Sequence, residues 1–74
     1  MSRLPVVSGQ DAVRVLAKLG YAVDHQTGSH IILRQQQPPH RRMTVPDHRE
    51  LAKGTLRGLI RQAGLTVETF RELL

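Results

Sequence analysis

The stretch TGSHIILR, residues 27–34, decides how this chain is expected to fold. Its glycine suits a tight turn, because glycine adopts positive φ angles without steric cost and lets another backbone approach closely. The apolar run that follows is typical of a β-strand, whose period of two places Ile31 and Leu33 on one face. His30 and Arg34 then project from the other face. The stretch therefore predicts a β-hairpin that presents His30 at the start of its second strand.

The flanking segments predict the rest of a small mixed fold. Ser8, three residues before Asp11, forms a capping box, and glycines end the first two predicted helices. In chain order we predict a loose lead-in over 1–7, a helix over 8–20, strands over 21–26, 30–34 and 41–45, a connecting loop over 47–52, a helix from 53 ending at Gly64, and a short helix from Thr66. Three antiparallel strands with both main helices on one face make a two-layer α-β-β-β-α sandwich of the α+β class.

Helical and strand periodicity also select the expected core. Tyr21 and Val23 should share one face of the first strand, with Ala22 and Asp24 on the other. In the third strand Met43 and Val45 should point inward. The helical residues expected to be buried are Ala12, Val15, Leu16, Leu19, Leu56, Leu59, Ile60, Ala63, Val67, Phe70 and Leu74.

Composition limits the protein to a few functional classes. Its 74 residues allow one domain, spanning 1–74, and the absence of cysteine excludes disulfides and a thiolate nucleophile. No apolar run approaches a membrane span, and the N-terminus lacks the apolar core of a signal peptide, so we expect a cytoplasmic protein. Eleven Lys and Arg against six Asp and Glu give a charge of +5, and nine of the eleven are arginine. Arginine forks match phosphate oxygens, which favours a nucleic acid or another polyanion as the ligand.

His30 is the best-placed titratable group for chemistry. An RNA 2′-hydroxyl attacks its own neighbouring phosphate when a base removes its proton, and histidine is suited to that role near neutral pH. The plain alternative is a polar residue on a half-exposed strand. The four histidines are spaced irregularly and the acids do not cluster, so we predict no metal site and no cofactor. A proton donor for the leaving oxygen is left open among His25, His48 and water.

Basic residues form two groups that suit phosphate contacts. Arg34, Arg41 and Arg42 belong to the predicted sheet. Lys53, Arg57 and Arg61 recur at i, i+4 and i+8 on one side of the second helix. The second group is equally consistent with the solvated side of an amphipathic helix, or with a surface that receives an acidic protein partner.

Four motifs in order resemble the HicA family of toxins. They are TGSH at 27–30, VPDH at 45–48, ELAKGTLR at 50–57 and QAGL at 62–65. The resemblance spans about residues 8–74. Thr27 stands where many relatives have lysine, and Ile31 where many have a second polar or histidine residue. These departures leave the proposed base intact.

The resemblance implies a fold like the double-stranded-RNA-binding domain and a ribosome-independent, metal-independent endoribonuclease that cleaves mRNA. It places the family's catalytic histidine on His30, in a turn with Gly28 and Ser29. It also implies a HicB-type antitoxin that masks this histidine, with DNA contacted only through the antitoxin complex. Arg34 and the nearby basic groups would then hold the phosphate, and Lys53, Arg57 and Arg61 would dock the RNA. A non-catalytic RNA-binding module of the same fold is the alternative.

Overall fold

The structure, a computed structural model, describes residues 3–74. Its elements are α1 (Gly9–Lys18), β1 (Tyr21–Thr27), β2 (His30–Gln35), β3 (Arg42–Pro46), α2 (Lys53–Gln62) and α3 (Val67–Leu73). The strands form one antiparallel sheet in the order β1-β2-β3. The helices pack together on one face of this sheet, so the predicted α+β sandwich is confirmed.

The core lies between that face of the sheet, here called the inner face, and the helices. On it Ile31 pairs with Val45 and Leu33 with Met43, and all four side chains are buried. The main residues that meet them from the helices are Ala12, Val15, Leu16, Leu56, Leu59, Ile60 and Phe70. Within residues 3–74, no helix combines the length and apolarity needed to cross a bilayer.

Two residues expected in the core are exposed. Val23 is opposite the buried Leu33, yet it is 54 % exposed because it lies on β1, an edge strand that the helices cover only near Tyr21. Leu74 is 51 % exposed, since α3 ends at Leu73 and the last residue extends beyond the helical layer.

The segment before α1 is packed rather than loose. Val7 is buried, and its carbonyl oxygen accepts a hydrogen bond of 2.8 Å from the Leu51 amide. The Arg71 guanidinium donates to the Arg3 carbonyl at 2.8 Å. The prediction of a loose lead-in was therefore wrong for residues 3–7, and Met1 and Ser2 lie outside the described residues.

The start of α1 is held by a cap and by close backbone packing. The predicted capping box is present: the Ser8 hydroxyl accepts from the Asp11 amide, and the Asp11 carboxylate accepts from the Ser8 amide. Gly9 packs directly on the end of β3, where a Cβ would stand 2.1 Å from the Pro46 carbonyl oxygen. The Gly9 amide also donates to the His48 carbonyl at 2.9 Å. The first turn of α1 is therefore fixed against the chain that leaves the sheet.

Candidate active site

The turn that begins the site is a two-residue hairpin loop. Thr27 pairs with His30, so Gly28 and Ser29 are the central residues. Gly28 has φ +56° and Ser29 has no positive φ, a pattern typical of type II′ turns, which favour glycine first. No atom lies within 4 Å of a Cβ built on Gly28, so the glycine is needed for its backbone angle and not, as also expected, for close approach. His30 is exposed beside this turn.

Asp47 braces the turn from the end of β3. Its amide donates to the Ser29 carbonyl at 2.6 Å. The Gln26 side-chain amide donates to the Gly28 carbonyl at 3.1 Å and to the Asp47 carboxylate at 3.3 Å, and Gln10 of α1 donates to the other Asp47 oxygen at 3.1 Å. One carboxylate therefore ties together β1, β3 and α1 around the turn before His30.

The face of the sheet opposite the helices, here called the outer face, is uncovered. His30 is opposite Pro46, Ile32 opposite Thr44, and Arg34 opposite Arg42, and these pairs alternate with the buried ones. The β1 residues paired to the same side are Ala22, His25 and Thr27. The exposed part of this face is thus formed by imidazole, hydroxyl and guanidinium groups around Ile32, which is half-buried.

A β-bulge in β1 decides which residues reach the outer face. Val23 pairs with Leu33, but the next pair is His25 with Ile32, so Asp24 is an extra residue on β1. An extra residue reverses the inside–outside alternation beyond it. Uninterrupted alternation from Tyr21 would have placed His25 on the inner face. The bulge instead places it on the face that carries His30.

Asp24 and His25 form a hydrogen-bonded pair on this face. The distance from His25 Nδ1 to Asp24 Oδ2 is 2.8 Å, and both side chains are partly exposed, at 49 % and 42 % respectively. The hydrogen bond from His25 lowers the pKa of Asp24, and the charges of His25, Arg34 and Arg42 lower it further. Asp24 is therefore a carboxylate at neutral pH and holds the His25 ring through Nδ1.

Arg34 and Arg42 lie at the far end of the outer face from His30. Arg34 follows His30 by four positions on β2, which corresponds to about 13 Å along a strand. The prediction that Arg34 projects from the same face as His30 is confirmed, and the two residues are at opposite ends of β2. Two guanidinium groups directly opposite each other disfavour the sheet, and such an arrangement is suited to an anion.

The other predicted phosphate contacts lie elsewhere. Lys53, Arg57 and Arg61 are exposed on α2, in the helical layer behind the inner face. Arg41 is in the loop before β3 and lines a cavity of about 320 Å³ beside Tyr21. The six basic residues consequently form no single surface around His30.

Two features of the site were not assigned from the sequence. Asp47 was placed in a connecting loop, and the signal that could have identified it is its position after Pro46, which ends β3 opposite His30. His25 was one of three candidate proton donors, and the neighbouring Asp24 was the available sign of an acid–imidazole pair. Within residues 3–74, no three His, Asp or Glu side chains are grouped as metal ligands would be.

Comparison with known proteins identifies the family. The family model of the HicA toxin of bacterial toxin–antitoxin systems matches residues 9–65, which include the turn, the bulge and the whole of α1 and α2. A chain of a toxin–antitoxin complex from Streptococcus pneumoniae is 33 % identical, with a TM-score of 0.67 over 80 % of this chain and 98 % of that one. No curated protein matches the sequence. The chain belongs to the HicA toxin family.

Proposed function

We propose that this protein is the toxin of a toxin–antitoxin pair and acts as a ribosome-independent endoribonuclease on mRNA, with His30 as the general base. The observation that carries the proposal is the position of His30: exposed, first in the central strand, and set by a braced turn on the uncovered face. Membership of the HicA toxin family supports the toxin role.

The chemistry needs only groups that RNA and this face supply. The His30 ring takes the proton of a ribose 2′-hydroxyl, and that oxygen attacks the adjacent phosphorus. The bond from phosphorus to the 5′-oxygen breaks and that oxygen takes a proton from a neighbouring donor or from water, leaving a 2′,3′-cyclic phosphate and a 5′-hydroxyl. A positioned base contributes about 10²–10⁴-fold to such a step, and the RNA provides the nucleophile. The proposal therefore requires no metal and no cofactor.

Substrate binding divides between two surfaces. Arg34 and Arg42 are on the same face as His30 and would hold phosphates a few nucleotides away from the cleaved bond. Lys53, Arg57 and Arg61 on α2 would contact only RNA long enough to pass around the edge of the sheet. Arg41 and Arg42 line a cavity together with Gln62 of α2.

A protein antitoxin would control the activity by covering the outer face. A chain of +5 charge attracts an acidic partner, and the partly exposed imidazoles and arginines of this face are the groups an acidic segment would pair with. The similarity to a chain of a toxin–antitoxin complex supports such a partner, and the family suggests a HicB-type protein.

The direct test is cleavage of end-labelled RNA by purified protein in EDTA, without ribosomes. We expect His30→Ala to reduce the cleavage rate by about 10²–10⁴-fold, because it removes the base. The fold should stay intact, since the His30 side chain is exposed. Circular dichroism should be unchanged. Expression of wild type should arrest growth, and expression of His30→Ala should not.

His40→Ala is the matched control. His40 is also exposed, but it lies in the β2–β3 loop, where its ring contacts the Gln35 carbonyl at 3.1 Å. The His40→Ala protein should cleave RNA at the wild-type rate. Equal cleavage by His30→Ala would remove His30 from the chemistry. RNA binding without cleavage by wild type would instead select the non-catalytic binding module.

A further inference from the structure

The bulge in β1 gives the outer face a second histidine whose position the proposed mechanism has not used. His25 and His30 occupy diagonal positions on adjacent strands, since His25 pairs with Ile32 and His30 with Thr27. Diagonal neighbours on one face are about 7–8 Å apart, and their Cβ atoms are somewhat closer. A phosphodiester fits between two rings at that spacing, with each ring within about 3 Å of one of its oxygens.

The Asp24 carboxylate orients the His25 ring through a hydrogen bond to Nδ1. Because Asp24 Oδ2 is a carboxylate oxygen 2.8 Å from Nδ1, that nitrogen carries the proton of this hydrogen bond, and Nε2 of the half-exposed ring is not engaged by it. A carboxylate behind an imidazole is the arrangement that orients a proton-transfer group in many enzymes.

The other candidate donor lacks these features. His48 lies two residues beyond the end of β3, and its backbone carbonyl is occupied by the Gly9 amide. Within residues 3–74 the His48 side chain makes no hydrogen bond that would orient it. His25 is therefore the histidine that both shares a face with His30 and has a partner fixing its ring.

We infer that His25, as an imidazolium, is the general acid that protonates the leaving 5′-oxygen, with Asp24 as its positioning residue. This inference rests on the proposed ribonuclease activity. In the cleavage step His30 accepts the 2′-hydroxyl proton while the 2′-oxygen bonds to phosphorus. The bond from phosphorus to the 5′-oxygen breaks, and His25 Nε2 gives its proton to that oxygen. One proton is taken and one is given, so the step needs no further reactant.

The test compares two substrates that differ only in the leaving atom. One is a short RNA with an ordinary phosphodiester, and the other carries sulfur in place of the bridging 5′-oxygen at the same site. A thiolate leaves without protonation, because thiols are far more acidic than alcohols. The sulfur substrate therefore no longer needs a general acid but still needs a base.

We expect His25→Ala to cleave the ordinary substrate about 10²–10⁴-fold more slowly than wild type and to recover near wild-type rate on the sulfur substrate. Asp24→Asn should show a smaller loss, also recovered with sulfur. His30→Ala should stay slow on both substrates. His40→Ala, a histidine outside this face, should match wild type on both.

The outcomes separate this inference from the proposed function. If wild type cleaves and His25→Ala is unimpaired, or is slowed equally on both substrates, His25 is not the acid. If wild type cleaves neither substrate, the ribonuclease proposal fails, and this inference fails with it. Circular dichroism and the melting temperature of His25→Gln, which keeps a polar side chain on the strand, guard against loss of rate through unfolding.

Discussion

The two faces of the three-stranded sheet have opposite characters although they come from the same strands. The inner face is aliphatic and closed by helices, whereas the outer face is open and carries imidazole, carboxylate and guanidinium groups. On β2 the faces alternate residue by residue, so Ile31 and Leu33 are buried in the core while His30 before them and Arg34 after them are exposed. This small domain therefore separates its buried residues from its exposed polar groups by strand alternation rather than by separate segments.

Truncating two neighbouring residues of β2 tests whether only the inner face of the sheet contributes strongly to stability. Leu33→Ala should lower the free energy of unfolding by about 2–5 kcal/mol, since Leu33 is fully buried and its truncation leaves a cavity in the core. Ile32→Ala, on the half-buried outer side, should cost only about 1 kcal/mol. Urea unfolding of both variants measures the difference. Equal losses would mean that the outer face is also part of a core.

Glycines test how closely the helical layer is fitted to the sheet. Gly9→Ala should destabilise the fold by about 1–3 kcal/mol, because its Cβ would collide with the Pro46 carbonyl oxygen and displace backbone. Gly58→Ala, in the middle of α2 with open space around it, should instead stabilise by about 0.5–1 kcal/mol. Thermal melts should therefore move in opposite directions. A Gly9→Ala protein as stable as wild type would contradict the close packing.

The salt dependence of RNA binding tests whether the outer face or the helical layer contacts the phosphates of RNA. For a short single-stranded RNA, Arg34→Gln with Arg42→Gln should make the log–log salt slope shallower by about 0.7 per lost contact. The triple change of Lys53, Arg57 and Arg61 to Gln should leave that slope unaltered and reduce it only for long RNA. Every protein in this titration also carries His30→Ala, so that the RNA stays intact while binding is measured. A reduced slope from the α2 variant on short RNA would place the substrate on the helical layer.

The smallest effect concerns acid stability. Hydrogen bonds from Ser8 lower the pKa of Asp11 in the folded protein, with a further contribution from Arg14. A carboxyl group whose folded pKa lies below its unfolded value contributes stability above the unfolded value, and this contribution disappears as pH falls through the folded one. Stability should therefore decline below about pH 4, and Asp11→Asn should flatten that decline.

Ser8→Ala provides the companion measurement at neutral pH. Losing the side-chain cap should cost about 1 kcal/mol, because the Asp11 amide loses its acceptor at the start of α1. Unfolding curves at several pH values test both changes. If Asp11→Asn shows the same acid decline as wild type, other carboxyl groups control it.

Much of the fold could be predicted because local patterns and tertiary packing agree. The alternation of Ile31, Leu33, Met43 and Val45 and the capping box at Ser8 each correspond to the observed structure. Val7 and Leu51 escaped prediction because each is a single buried residue in a segment without regular period. Their burial depends on the hydrogen bond that joins the two segments.

The α+β sandwich could be predicted from the helical and strand periods along the chain. The positive-φ turn at Gly28 and the exposed face of His30 could be predicted from glycine geometry and the period-two pattern of β2. The tertiary structure was needed to show that Asp47 braces this turn and that the bulge at Asp24 turns His25 to the outer face. The physical reason is that a bulge and a cross-chain hydrogen bond arise from how strands align with each other, and a linear pattern contains no information on that alignment until the partner strand is in place.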